Sequence, residues 1–313
     1  MEKPRLVAIV GPTASGKSSL ALALAQHFNG EIISADSVQV YRGLDIGTAK
    51  PSPEDQRVVP HHLIDILNPD QDYSAALFRQ QADELIRILH KRQKPTFVVG
   101  GTGLYLKALT RGLFRGPAAD PGLRSSLYQE ADTKGRKFLH HQLQKLDPEA
   151  AARIHPQDKI RIIRAIEVHN QSKKTISEFQ KEHRFQDAPY EVFKIGLFPG
   201  REELYRRIET RAEKMIEMGW VDEVDSLLNQ GYLPNLKPLL SLGYKHVVSY
   251  LYEKIPLEEA VRLIKRDTRR YAKRQITWFK ADPEINWFSP NQESITLINR
   301  EVTQFLNMGR IVL

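Results

Sequence analysis

At 313 residues the chain can bury a sizeable core, as one large domain or as a core carrying an insertion. No apolar run approaches the ~18 residues of a spanning helix, Met1-Glu2-Lys3-Pro4 enters an apolar strand without a signal-peptide pattern, and the absence of cysteine excludes disulfides and thiolate metal sites and suits a reducing cytoplasm. The net charge of +8 is concentrated: residues 261 to 280 carry eight basic residues against Asp267, net +7, and residues 151 to 184 carry eight against four acids, net +4. Two such segments predict two walls of a polyanion groove, where neutralised phosphates release counterions. A solvated helix face is the alternative for either segment alone.

In chain order, the pattern predicts a strand at 5–10, a helix at 17–28, a strand at 31–35, a helix at about 74–92, a strand at 96–99 and a helix from Thr102. Ser74 stands as a cap before Ala75, Leu77, Phe78, Ala82, Leu85, Ile86 and Leu89, which recur at helical spacing. This alternation is that of a doubly wound parallel α/β sheet. After Gly112-Leu113-Phe114-Arg115-Gly116-Pro117 the signals become helical through about residue 186, with breaks at Pro148, Pro156 and Pro189. A strand returns at 191–198, followed by helices near 201–218, 221–230, 244–253 and 257–280, a short strand at 285–288 and a helix at 292–307. The expected organisation is a core of residues 1–115 and 187–313 interrupted by a helical lobe at 116–186. The adjacent pairs His61-His62 and His140-His141 lack ligand spacing and read as surface or turn residues.

The most informative motif lies between the first strand and helix. Gly11-Pro12-Thr13-Ala14-Ser15-Gly16-Lys17-Ser18 fits G-x-x-x-x-G-K-[ST] at every fixed position. Such a loop turns backbone N–H groups inward at a helix N-terminus and accepts a di- or triphosphate, with Lys17 reaching the terminal phosphate and Ser18 positioned for Mg²⁺. The carboxylate that holds Mg²⁺ in ATPases is missing, because Thr96-Phe97-Val98-Val99 runs into Gly100-Gly101-Thr102-Gly103. Asp36 ends the strand Glu31-Ile32-Ile33-Ser34-Ala35 instead, near the loop in a parallel sheet and facing an acceptor. A phosphate cradle, a base beside it and no hydrolytic carboxylate point to a group transferase. On these residues alone, a P-loop kinase, a non-catalytic RNA-binding protein and a purely structural turn at Asp36 stay open.

Further blocks narrow the choice. Ser34-Ala35-Asp36-Ser37-Val38-Gln39-Val40-Tyr41-Arg42-Gly43, Asp45-Ile46-Gly47-Thr48-Ala49-Lys50-Pro51, Pro60-His61-His62-Leu63-Ile64-Asp65, Gly100-Gly101-Thr102-Gly103-Leu104-Tyr105, Arg161-Ile162-Ile163-Arg164-Ala165-Ile166-Glu167-Val168 and Lys273-Arg274-Gln275-Ile276-Thr277-Trp278-Phe279 follow the loop in order. Together they closely resemble the tRNA dimethylallyltransferase, or isopentenyltransferase, family over roughly residues 5 to 288, in its bacterial form without a C-terminal Cys/His finger.

The resemblance implies a P-loop NTPase-like core whose loop, Gly11 to Ser18, binds the diphosphate of dimethylallyl diphosphate, with Mg²⁺ on Ser18. It implies transfer to N6 of the adenosine 3′ to the anticodon, in a channel entered by tRNA from one side and by the donor from the other. Thr13, Lys17 and Arg211 are the positions matching leaving-group stabilisers, and Asp36 matches the general base. The extruded adenine would meet Asp36, Ser37, Val38, Gln39 and Thr102, while Arg124, Arg161, Arg164, Lys245, Arg269, Arg270 and Arg274 would hold phosphates of the anticodon stem-loop. Lys245 stands where the family often has Arg, which weakens bidentate phosphate contact there, and Ser18 replaces a frequent Thr while keeping the hydroxyl. A cytoplasmic monomer away from membranes is the implied form.

Overall fold

The computed structural model describes residues 3 to 307; Met1, Glu2 and residues 308 to 313, which the expected core limits include, lie outside the described residues. Two compact units emerge, one running to Thr110 and resuming at Pro189, the other Arg111–Ala188.

The first unit opens with β1 (Arg5–Val10), α1 (Lys17–His27) and β2 (Glu31–Ser34), then α2 (Pro53–Val58), β3 (His61–His62), α3 (Ala75–Lys91), β4 (Thr96–Gly100) and α4 (Gly103–Arg111). The second unit holds α5 (Pro121–Lys134), α6 (Arg136–Leu146), α7 (Pro148–Arg153), α8 (Lys159–Ser172) and α9 (Ile176–His183). The first unit resumes with β5 (Glu191–Leu197), α10 (Arg201–Glu217), α11 (Trp220–Asn229), α12 (Tyr244–Tyr252), α13 (Leu257–Lys280), β6 (Ile285–Phe288) and α14 (Gln292–Asn307).

The six strands among the described residues are all parallel, in the order β3-β2-β4-β1-β5-β6, so the sheet is doubly wound as its alternating pattern required. Because β1 and β4 are buried on both sides, they read as continuous apolar runs and not as alternating ones. On one face α3 lays Phe78, Ala82, Ile86 and Leu89 against Leu6, Ala8, Ile33 and Val98, and α4 adds Tyr105, Leu106 and Leu109. On the other face α1 places Leu20, Ala21, Leu24 and Ala25 against Val7, Ile9 and Phe97, joined by Ile298 and Val302 of α14. The helices following the adjacent strands β1 and β4 therefore leave to opposite faces, which opens a crevice at the carboxyl ends of those two strands. A third cluster, Val40, Tyr41 and Leu44 with Met215, Trp220, Val224, Tyr244 and Ile264, fixes the long connection after β2 to α10, α11, α12 and α13.

The second unit packs Leu127, Leu139, Leu143, Ala150, Ile162, Ile163 and Ile166 into its own core. Three of its helices, α5, α7 and α8, start at carboxylate caps: Asp120 accepts the N–H of Leu123, Asp147 that of Ala150 and Asp158 that of Arg161. Pro121 and Pro148 occupy the first helical turn, where the missing N–H costs nothing, so Pro148 begins α7 as well as ending α6.

The histidine pairs require correction. His61-His62 forms the edge strand β3 and is half-buried, with the Nδ1–H of His61 donating to Val59 O at 2.7 Å. His140 is buried and bonds the carbonyls of Ala151 and Ile154 at 3.1 Å each; only His141 is exposed.

Candidate active site

The phosphate-loop sequence makes the turn from β1 into α1. Gly16 caps α1 with φ 95° and offers no side-chain bond, so the N–H groups of the first helical turn have no side-chain cap among the described residues. Lys17 donates from Nζ to Pro12 O at 2.7 Å. Burial of the ammonium, with Arg211 nearby adding repulsion, lowers its pKa to about 8. Ser18 is exposed at the first turn and bonds no described side chain.

Two adjoining hollows meet at this loop. The smaller, about 120 Å³, is lined by Thr13, Lys17, Ser18, Gln39, Gly101 and Gln275 among others. The larger, about 250 Å³, has Ser37 and Val38 in a wall otherwise dominated by Ile208, Met215, Trp220, Leu242 and Tyr244. Thr13, Asp36, Thr48, Arg211 and Tyr271 line both, so they form the partition between a phosphate end and an apolar end.

Asp36 sits just past β2, where Oδ1 accepts the N–H groups of Val38 at 2.8 Å and Gln39 at 3.2 Å. That Asx turn leaves Oδ2 without a protein hydrogen bond among the described residues, so one carboxylate serves as turn cap and as acceptor. Arg211 comes from α10; burial lowers its pKa while Asp36 opposes the shift. Tyr271, on α13, is pushed up to about 12 by burial and then by Asp36, so its hydroxyl stays protonated and able to donate.

Gln39 is committed to scaffolding: its oxygen accepts from Ser34 Oγ at 3.0 Å and its amide donates to the carbonyls of Thr48 and Ala49 at 3.2 Å. Thr102 lines neither hollow; its carbonyl accepts the Tyr105 N–H at the start of α4. Lys245 and Arg270 flank Asp267, at 3.8 and 3.4 Å, and Arg274 lies over the Tyr271 ring, 5.6 Å from its centroid.

In the second unit, Arg124 and Arg164 both clamp Glu167, which is 0% exposed. Burial alone would raise that carboxyl, but the two guanidinium groups and the Asp120 N–H hold it below the usual carboxylate range. Arg161 extends outward with only a 3.4 Å contact to Asp158.

Sequence reasoning overlooked three supports. Gln275, 6% exposed, accepts the Thr13 N–H and donates to Gly101 O, both at 2.9 Å, and so ties the loops after β1 and β4 together. A side chain at Gly101 would collide with that amide. The only sign of it was a polar residue on the otherwise apolar stripe of α13. Glu223 of α11 accepts the N–H groups of Asp45, Ile46 and Gly47 and the hydroxyl of Tyr244, holding the wall that carries Thr48. Tyr271 lies one turn before Gln275 on the same helix.

The IPP transferase family profile matches residues 39–282, and an isopentenyl transferase profile matches residues 4–65. A tRNA dimethylallyltransferase 2 of Geotalea uraniireducens is 53% identical over 97% of this chain and 98% of its own. The tRNA dimethylallyltransferase of Geobacter sulfurreducens is 51% identical over 95% and 96%. Among solved structures, the full-length tRNA isopentenylpyrophosphate transferase of Bacillus halodurans shares 40% identity over 98% of both chains, with a TM-score of 0.73. A eukaryotic dimethylallyltransferase described as acting on tRNA shares 26% identity over 96% of this chain and 77% of its own, with a TM-score of 0.79.

Proposed function

The chain belongs to the IPP transferase family, and we propose that it transfers a dimethylallyl group from dimethylallyl diphosphate to N6 of the adenosine 3′ to the anticodon of tRNA. The observation that carries this reading is the partition of Thr13, Asp36, Thr48, Arg211 and Tyr271 between a hollow lined by phosphate-loop residues and an apolar one. A phosphorylated donor and an aromatic acceptor reaching this wall from its two sides bring the allylic carbon and the amino group together beside Asp36.

The C–O bond of the donor breaks as the N6–C bond forms. Asp36 takes the amino proton on Oδ2, held in place by the Val38 and Gln39 N–H bonds to Oδ1. Lys17, Arg211, the Thr13 hydroxyl and the uncapped N–H groups at the start of α1 face the charge that develops on the departing diphosphate, which stabilises the transition state more than the ground state. Ser18 fits as a Mg²⁺ ligand, since it lines the phosphate end and its hydroxyl has no protein hydrogen bond among the described residues, and Mg²⁺ keeps most of its shell from water and phosphate. When bound, the ion would neutralise part of the diphosphate charge. Exposed cations, Arg161 of the second unit and Lys245, Arg270 and Arg274 of the first, supply phosphate contacts to the anticodon stem-loop. Action as a cytoplasmic monomer is part of the same proposal.

Incubating the protein with unmodified tRNA, Mg²⁺ and either carbon-labelled dimethylallyl diphosphate or γ-labelled ATP tests the reading. Carbon label in RNA and none from ATP is expected. Phosphate label in RNA, or ATP competing strongly with the donor, would replace it with a kinase.

A further inference from the structure

The positive charge of α13 is not evenly available. Arg262 pairs with Glu259, Lys265 with Glu213, Arg269 with Glu209, and Arg266 and Arg270 both with Asp267. Lys273, Arg274 and Lys280 have no carboxylate partner among the described residues; Arg274 rests over Tyr271 and Lys280 over Phe198. The uncompensated cations therefore gather on the last two turns of the helix.

Among them stands Trp278, 43% exposed. Its indole edge lies against Gly103, where any side chain would collide with Cδ1 and Nε1 of the ring. The ring is thus braced from the protein side while nearly half of its surface meets solvent. Trp278 is one turn from Gln275 and two turns from Tyr271, about 10 Å along the axis from the wall that contains Asp36. Arg274 and Trp278, four residues apart, share one helix face.

We propose that Trp278 is a stacking platform for an unpaired RNA base flanking the one that enters the active site, with Arg274 and Lys273 on the adjoining phosphates. A strand that gives up one base to the hollow loses stacking at its neighbours, and an indole replaces that stacking with any base because every base has a π-face. The unpaired cations select RNA as occupant, since an apolar or acidic-poor partner would leave them unused. The proposal rests on the tRNA reading given above.

The test titrates an anticodon stem-loop RNA into the wild type, Trp278→Phe and Trp278→Leu at several salt concentrations. The leucine variant should bind about 10- to 100-fold more weakly and phenylalanine should restore most of the loss, at the level of one stacked base. The slope of log K against log salt should be the same in all three, because stacking releases no counterions, whereas Arg274→Gln should flatten it by about 0.7 to 0.9. In the wild type alone, a photoreactive 5-iodouridine at the flanking position should crosslink to the peptide containing Trp278, which keeps the test decisive if the leucine variant folds poorly. Binding of Trp278→Leu within twofold of wild type, or crosslinks elsewhere, would overturn the platform and leave the tRNA reading intact. Failure of the wild type to bind RNA would overturn both.

Discussion

Replacing Gln275 with leucine removes the tie between the phosphate loop and the loop after β4. Two hydrogen bonds of 2.9 Å are lost, to the Thr13 N–H and the Gly101 carbonyl. A net bond contributes about 0.5–1.5 kcal/mol, and a partner left unsatisfied costs about 1–3 kcal/mol. Thr13 and Gly101 are half-buried, so water compensates in part, and the total comes to about 2–3 kcal/mol. For a domain of this size that lowers Tm by about 4–12 °C, read by differential scanning fluorimetry. The larger effect is kinetic: Thr13 is no longer aimed at the diphosphate, and a misplacement on the order of 1 Å lowers the chemical rate about 10²-fold. Gln275→Glu separates the terms, because it keeps an acceptor for Thr13, loses the donor to Gly101 and adds negative charge beside the donor site. It should cost less stability than leucine but more donor affinity. Rapid-quench single turnover with saturating donor supplies the rate. A leucine variant that loses stability yet transfers within twofold of wild type would show that the tie only packs α13 and does not position the loop.

Asp36→Asn keeps an oxygen for the Val38 and Gln39 N–H groups but cannot take a proton, so single-turnover transfer should fall about 10²–10⁴-fold with donor and RNA affinity within a few-fold; a near-normal rate would reduce Asp36 to a turn cap. Lys17 titrates at about 8 in the free protein, below the ordinary 10.5, and a bound diphosphate favours its charged form. Donor affinity should therefore fall as pH rises above 8, by up to tenfold per unit, with uptake of about one proton on binding, measured by calorimetry in buffers of different ionisation heat. Flat affinity and no proton uptake would contradict that environment. Glu167 is held below its ordinary pKa of 4.5, so its contribution to the second unit is complete above that value and is lost as pH falls through the depressed one. Glu167→Gln should flatten this acid dependence and destabilise the unit by about 2–4 kcal/mol, seen as faster hydrogen exchange across residues 111–188.

The strands of the first unit were legible as short apolar runs and its long helices because their apolar residues recur at a period of 3.6, and α13 matches its expected limits, Leu257–Lys280. Two elements were invisible. α2 is six residues long with nothing buried, held by the Ser52–Asp55 capping box, and β3 is a two-residue edge whose side chains are histidines. At the site, the phosphate loop announced itself through glycine spacing. Gln275 and Glu223 act through backbone groups far away in sequence, and nothing local reveals such partners. Charge counting was informative about sign and uninformative about availability. Arg124 and Arg164 looked like free cations, but the acid that engages them is a single buried carboxylate whose burial depends on how α5 meets α8. The same holds on α13, where Asp267 alone gathers Arg266, Arg270, Lys245 and His246.

The central claim is that one wall joins a diphosphate donor to an adenine amino group. It is tested most directly by reacting the protein, Mg²⁺ and dimethylallyl diphosphate with an unmodified anticodon stem-loop, digesting the RNA to nucleosides and identifying the product by mass spectrometry. The account predicts one C5H8 unit on N6 of the adenosine 3′ to the anticodon, diphosphate released in equal amount, and no product when that adenosine is replaced by guanosine. Modification at another position, transfer that persists in the guanosine RNA, or diphosphate released without alkylated RNA would contradict it.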